Sequence, residues 1–431
     1  MSVEIISKSS DEVTFQITIK LLEKDFMKME ERILEVSNEL GCQATAEALK
    51  KHDTQGEPIV AKGVRHTARC LTEKKYQTPW GVVNINRYVY QTSEGGRIYC
   101  PLEESARIIH GSTPRFARML SHKYASMNAG ATKADMEMNH GRSLNRSFLQ
   151  NVAESVSAIA QLTEEDAHYS VPTLSEPVST VTMSMDGAML NMGNEGWREA
   201  MVGNISLYDD KGERLHSIYF GASPEHGKAA FKQRFEREAT RIKTLYPNAT
   251  TIGIADGAND NWPLLEKYTA HQLLDFYHAA EYLAEAAQAV GARNTGKPER
   301  TRWLDEWCHV LRHEEGGATR VLAQLETLGR KHKLSSKIKA SVTDAIRYFR
   351  NHIPLMNYAF HESQNWPVGS GVTEAACKTL IKQRFCQAGM RWKTPGIKTV
   401  LSLRSLVLTK DRWGQFWDKV MESNIGAVPS C

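Results

Sequence analysis

The chain has 431 residues, 24% of them charged and 41% hydrophobic, with a formal net charge of +4. That length exceeds one ordinary domain and suits two to four, and no stretch approaches the roughly 20 apolar residues of a membrane span. Glu4, Lys8, Asp11 and Glu12 interrupt the first 20 residues, which argues against a secretory signal and predicts a cytoplasmic protein with no membrane association.

Residues 1–40 lean acidic, with 5 Lys/Arg against 9 Asp/Glu. Within Glu23–Lys51, Phe26, Met29, Ile33, Leu34 and Leu40 recur at helical spacing and predict one or two helices. The pattern then changes. Thr78-Pro79-Trp80-Gly81 is turn chemistry, Val82–Tyr90 alternates like a strand, and Ser93-Glu94-Gly95-Gly96 turns the chain into Arg97–Cys100, which together predict a small β-hairpin.

Three short helices are expected over 113–165. Thr113-Pro114 opens the first, Ala131–Met138 suits the second, and Ser143 is placed to cap the third, after the turn Asn139-His140-Gly141. A glycine-bearing turn followed by a helix with Arg142 and Arg146 at its start has the outline of a helix-turn-helix, and an ordinary helical bundle fits the same pattern. The balance of charge reverses here, with 14 Lys/Arg against 6 Asp/Glu over residues 61–150. A second basic zone, Ala375–Lys410, holds eight Lys/Arg and no acid. Two such zones point to a polyanionic partner.

Beyond a linker at Pro172–Pro177, the runs Val178–Met189, Trp197–Tyr208 and Arg214–Gly221 read as three strands. A helix over Gly227–Tyr246, a strand at Thr251–Ile254, a helix at Trp262–Lys267, a strand at His271–Asp275 and a helix over Phe276–Val290 follow. The order β-β-β-α-β-α-β-α predicts an α/β fold with an RNase H-like core, a strand meander extended by parallel strands with helical crossovers. Arg293–Arg350 is helical and polar and reads as an insertion; Trp366–Gly371 is a loop and Val372–Gln387 a helix. The expected organisation is an N-terminal accessory α+β region (1–110), a helix-turn-helix-like region (111–172), the first part of the core (173–292), a helical insertion (293–360), and a core C-terminal helix with a basic tail (361–431). The seven cysteines, Cys42, Cys70, Cys100, Cys308, Cys377, Cys386 and Cys431, include no pair at zinc-knuckle spacing.

Three carboxylates occupy comparable settings. Asp186 interrupts an apolar strand, where a lone buried anion costs several kcal/mol unless a cation offsets it. Asp256 closes the next parallel strand, at the end where open α/β sheets gather ligands. Glu374 lies in the first turn of a helix behind a flexible Gly369-Ser370-Gly371 loop. Singly, each has a plain structural reading: a bulge, a turn, a carboxylate favoured by a helix dipole. In this order on this strand pattern they suit two Mg²⁺ or Mn²⁺ ions, roughly 3.5–4 Å apart, clamping a scissile phosphate. Lys378, Lys382 and Arg384 follow at near-helical spacing, with Arg391, Trp392 and Lys393 beyond, and these cations favour nucleic acid over a small metabolite.

At Met185-Asp186-Gly187, Ile254-Ala255-Asp256-Gly257, Asp275-Phe276-Tyr277-His278, Gly369-Ser370-Gly371-Val372-Thr373-Glu374 and Gly389-Met390-Arg391-Trp392 the sequence resembles bacterial insertion-sequence transposases of the Kra group, DDE enzymes related to Mutator-like transposases. The likeness extends upstream to Thr78–Val83, Arg87–Tyr90 and Pro101-Leu102. It implies Asp186, Asp256 and Glu374 as catalytic metal ligands, a helical insertion between the last two, and His278 of a D-x-x-H motif close to the scissile phosphate. The implied activity is binding of terminal inverted repeats in double-stranded DNA, with metal-dependent strand cleavage and transfer by a homodimer or larger assembly at the bacterial nucleoid. Relatives often carry paired cysteines after the Arg-x-Tyr strand. Here only Cys100 follows, so the hairpin is expected to hold by packing without zinc. A catalytically silent DNA-binding protein of the same ancestry and an RNase H-like nuclease are the alternative expectations.

Overall fold

The computed structural model describes residues 2–164, 168–258, 260–291, 296–330 and 334–422; Arg293 and Cys431 lie outside them. The protein is mixed α/β and forms two compact units, one of residues up to Tyr169 together with the chain from Gly414 on, the other Ser170–Trp413. Among the described residues no helix is long and apolar enough to cross a membrane.

The first unit opens with a hairpin that lacks a strong hydrophobic alternation, β1 (Ser2–Lys8) against β2 (Val13–Thr18). One helix, α1 (Phe26–Lys50), fills the predicted helical region, and Asp25 caps it by accepting from the Met27 amide at 3.0 Å. A four-stranded antiparallel sheet follows: β3 (Ile59–Ala61), β4 (Val64–Gln77), β5 (Val82–Thr92) and β6 (Gly95–Tyr99). The predicted hairpin is therefore part of a larger sheet. Its core is Tyr76, Val83, Ile85 and Leu102, the last on α2 (Pro101–Ser105). The Tyr76 hydroxyl donates to Glu103 at 2.8 Å and accepts from Arg87 Nε at 2.8 Å, so packing and one polar network hold the hairpin.

Three helices complete this unit, α3 (Pro114–Ser126), α4 (Ala129–His140) and α5 (Arg146–Leu162). Gly141 closes α4 in the left-handed conformation. The third helix starts later than expected, with Asn145 rather than Ser143 at its N-cap. Arg142 is 7% exposed; its guanidinium donates to the Thr78 carbonyl and to Gln77 and lies 4.9 Å above the Phe116 ring. The expectation that Arg142 contacts DNA is corrected: the side chain is buried and two of its donors bond inside the unit, joining the turn after α4 to the end of β4. Arg146 remains exposed at the start of α5.

The second unit is built on a five-stranded sheet. Its antiparallel meander is β7 (Thr180–Asn191), β8 (Trp197–Tyr208) and β9 (Arg214–Ala222), followed by α6 (Ala229–Leu245). Next come β10 (Thr250–Ala255), α7 (Trp262–Tyr268), β11 (His271–Leu274) and α8 (Phe276–Ala286). The strand order is β11-β10-β7-β8-β9, with β10 parallel to both β7 and β11. Val181, Met183, Ile205 and Ile218 share one face of the sheet and Ile252 and Leu273 the other, both faces being buried, and Phe231 and Phe235 of α6 pack on Phe220.

A helical segment follows, α9 (Lys297–His313), α10 (Gly317–Gly329) and α11 (Ser336–His352), and then α12 (Tyr358–Ser363). The predicted last helix is broken: α13 (Gly371–Ala376) passes through a π-helical stretch, Cys377–Lys382, into α14 (Gln383–Phe385). The expected basic tail is in fact helical, α15 (Thr394–Leu408) and α16 (Arg412–Glu422), because Ile397, Val400, Leu401 and Leu403 give α15 an apolar face that is buried.

Candidate active site

The parallel pairing places the acidic residues. Ile254 pairs with Ser184 and Ala255 with Leu274. Asp256 follows Ala255 directly and its charge acts on Asp186, and Asp275, directly after β11, donates its amide to the Ala255 carbonyl at 2.8 Å. Asp186 thus lies within β7, while Asp256 and Asp275 directly follow the parallel strands β10 and β11. Gly257 turns the chain after Asp256 with φ +96°, and Leu274, Tyr348 and His352 crowd the space a Cβ would take, so glycine is required there. The Tyr348 hydroxyl donates to the Asp256 carbonyl at 2.9 Å, and its ring stacks on Tyr282 at 4.0 Å. The helical segment is thereby pinned to the strand end.

Glu374 arrives on α13, which is fastened at three points. The carboxylate of Asp275, fully buried, accepts from the Tyr277 and His278 amides at 2.6 and 3.2 Å through one oxygen, and from the Ser370 amide at 2.6 Å and the Ser370 hydroxyl through the other. Thr373 and Ser184, both buried, share a hydroxyl hydrogen bond. Cys377 points its thiol at Asp186 Oδ2, 3.4 Å away. The loop before α13 is consequently not slack: Asp275 holds Ser370, Val368 accepts from the Phe276 amide at 3.1 Å, and Gly369 lies so close to Tyr277 that a Cβ would come within 2.7 Å of the ring.

Among the described residues, one set of three metal-ligating side chains has all its donor atoms within 4.8 Å of one another: Asp275, His278 and Glu374. The expected set of Asp186, Asp256 and Glu374 is not gathered that tightly. Each aspartate instead satisfies its carboxylate locally, Asp186 Oδ1 with the Gly187 amide at 2.6 Å and Asp256 Oδ1 with the Ala258 amide at 3.1 Å. In the closer set, Asp275 already accepts four hydrogen bonds, which leaves its two oxygens little capacity for a cation. We read it as the clamp of the site rather than a ligand. His278 differs: its Nδ1 is buried with no hydrogen-bond partner among the described residues.

Burial raises the pKa of Asp186. The Gly187 amide, the Cys377 thiol and nearby His278 oppose that rise, and the charge of Asp256 adds to it. Asp256 and His278 therefore both face Asp186 closely enough to act on it. Burial and the Asp186 charge push the Cys377 thiol up, so it stays protonated and serves as a donor.

The basic residues after Glu374 divide into two groups. Lys378, Lys382, Arg391 and Lys393 are exposed. Arg384 is 1% exposed, with its guanidinium 5.2 Å from the Trp392 ring centre, so the expectation that it binds DNA is corrected; a side chain this deeply packed does not reach a phosphate. Trp392 donates from its indole to the Phe385 carbonyl at 2.9 Å and from its amide to Asn191 at 3.0 Å, strapping this segment to the end of β7. Arg404 escaped sequence reasoning. Buried, it donates to the Leu380 carbonyl at 3.0 Å and to the Thr379 carbonyl, supporting the π-helical stretch, and burial with the neighbouring charge of Arg384 brings its pKa down to about 10.

Neither a protein-family model nor a curated protein matches the chain. The functional reading therefore rests on the site and on the sequence motifs that mark it.

Proposed function

We propose that the protein is a DDE-type DNA transposase with an RNase H-like catalytic core. One observation carries the reading: Asp186 lies in β7, Asp256 directly follows the neighbouring parallel strand β10, and the helix bearing Glu374 is fastened to β7 through Thr373–Ser184 and Cys377–Asp186. The sheet order supports it, since a three-stranded antiparallel meander with two parallel strands added beside its first strand is the RNase H-like arrangement. The helices between Asp256 and Glu374 match the insertion that the family resemblance implies.

The donors suit divalent cations: Asp186 is a half-buried carboxylate acted on by the charge of a second one, and His278 has an unsatisfied buried nitrogen. Asp186, Asp256 and Glu374 would hold Mg²⁺ or Mn²⁺, with two ions expected, and the metal would supply charge neutralisation at a scissile phosphate. His278, which the family resemblance puts close to the scissile phosphate, has a ring nitrogen within 4.8 Å of donor atoms of Asp275 and Glu374. Lys378, Lys382, Arg391 and Lys393 are open to the DNA backbone on the Glu374 side. In the first unit, α3–α5 with exposed Arg146 is the helix-turn-helix-like element proposed to bind element ends.

The test is incubation of the purified protein with Mg²⁺ and double-stranded DNA carrying the element's terminal repeats. Joined products are expected, and Asp186→Asn, Asp256→Asn and Glu374→Gln should abolish them with DNA binding nearly intact. Hydrolysis without joining would assign a nuclease, and binding without cleavage a silent DNA-binding protein; either refutes the proposal.

A further inference from the structure

Helix α11 reaches the acidic site with two residues one turn apart, Tyr348 and His352. The Tyr348 hydroxyl holds the Asp256 carbonyl. The His352 ring lies 4.7 Å from the Tyr348 ring, and its Nδ1 is 2.8 Å from the Tyr348 carbonyl oxygen. A carbonyl oxygen only accepts, so Nδ1 carries the proton and the Nε2 of the neutral ring is left as a bare acceptor. Among the described residues no hydrogen bond occupies that nitrogen. It comes within 3.3 Å of where a Cβ on Gly257 would lie, which puts it no more than about 9 Å from the Cα of Asp256. His352 is half-buried rather than enclosed. A fixed tautomer thus aims a lone pair at the turn that directly follows Asp256.

We infer that His352 is the general base of the cleavage step, taking the proton of the water that attacks the scissile phosphate. The inference rests on the transposase reading of the site. With Asp186, Asp256 and Glu374 engaged in holding cations, and Asp275 already accepting four hydrogen bonds, those carboxylates are not free to take a proton. His352 supplies the acceptor from a different element. The water's O–H bond breaks and its proton passes to Nε2, while the oxygen's electron pair forms the new bond to phosphorus. The bond from phosphorus to the 3′ oxygen breaks, and that oxygen leaves with its pair and takes a proton from solvent. Nδ1–H goes on donating to the Tyr348 carbonyl as positive charge develops on the ring, and that bond strengthens when its donor is charged. Tyr348 itself is backed by the ring of Tyr282 on α8, stacked at 4.0 Å, so the base is held on a rigid support. The helical segment between Asp256 and Glu374 thereby gains a chemical role beside its structural one.

The experiment measures cleavage of the terminal-repeat duplex in Mg²⁺ by the full chain and by its His352→Ala and His352→Asn variants. Both should cleave at least about 100-fold more slowly, the lower end of what a general base contributes. Asparagine keeps a donor for the Tyr348 carbonyl, so a folded but slow His352→Asn protein marks the missing Nε2 and not a missing prop. Added imidazole should restore His352→Ala by at least about tenfold, and methylimidazoles should restore it in order of their basicity, an order that a merely structural gap does not produce. Mn²⁺ binding, followed by electron paramagnetic resonance, should be unchanged in both variants. Should either substitution lower stability, the imidazole series decides by itself. A His352→Asn protein that cleaves like the parent, a loss that imidazoles leave untouched, or a loss of Mn²⁺ binding, which would make His352 a ligand, would each overturn the inference alone. A parent that cleaves nothing would instead refute the transposase reading beneath it.

Discussion

Replacing Asp275 separates a clamp from a metal ligand. Its carboxylate caps α8 through two amides and holds Ser370 through an amide and a hydroxyl, with no exposure to solvent. Loss of an N-cap acceptor costs typically ~1 kcal/mol. Hydrogen bonds to a charged group contribute about 1.5–3 kcal/mol each, and the two to Ser370 fall toward the lower figure because Ser370 is itself only half-buried and water can reach it. Asp275→Ala should therefore destabilise the protein by about 4 kcal/mol. Asp275→Asn keeps one acceptor for the cap and turns an NH₂ group toward the Ser370 amide, so about half that loss is expected. Urea unfolding followed by circular dichroism gives the stability, and Mn²⁺ binding followed by electron paramagnetic resonance gives the ion affinity of the folded variant. A variant within about 1 kcal/mol of the parent that has lost Mn²⁺ binding would refute the clamp and make Asp275 a ligand.

Three further outcomes are expected. Cys377→Ala removes a donor that holds down the pKa of Asp186, so the pH at which Mn²⁺ binding is half-maximal should rise, while Cys377→Ser should restore it; equal profiles for all three proteins would exclude the contact. Glu238 of α6 is held by Arg412 through paired bonds of 2.8 and 2.7 Å; burial alone would raise its pKa, but the Arg412 charge overrides this and lowers it. Arg412→Met should cost about 3–5 kcal/mol in urea unfolding, and a loss below about 1 kcal/mol would show that Arg241, 3.6 Å away, suffices. Buried His361 has its pKa lowered to about 4 by burial and by His271. The unfolded chain takes up that proton below about pH 6.5 while the folded protein does not, so stability is full above that pH and declines by up to about 3 kcal/mol as pH falls toward 4. His361→Gln should flatten this decline in pH-dependent urea unfolding, and an unaltered slope would remove His361 as its source.

The strands of the second unit were legible because β7, β8, β9, β10 and β11 are apolar runs bounded by turn residues, and side-chain burial follows directly from that pattern. β4 was not: most of Val64–Gln77 is exposed, so it has no hydrophobic alternation to betray it and takes its strand form from pairing with β5. Arg142 and Arg384 show the limit of reading charge as surface. Both sit in basic stretches, yet each is enclosed against an aromatic ring. In sequence nothing distinguishes them from exposed Arg146 and Arg391.

By itself the sequence determined the α/β character, the order of strands and helices in the second unit, and the aspartates within and just after its strands, because periodicity, turn chemistry and an anion in an apolar run are all local properties. Only the tertiary structure decided how those acids are held. The bonds that fasten the site join Asp275 to Ser370, Ser184 to Thr373 and Asp186 to Cys377, across 95, 189 and 191 residues. Such pairings depend on which strand lies beside which and on where a helix docks after the chain has closed on itself. No local spacing encodes them.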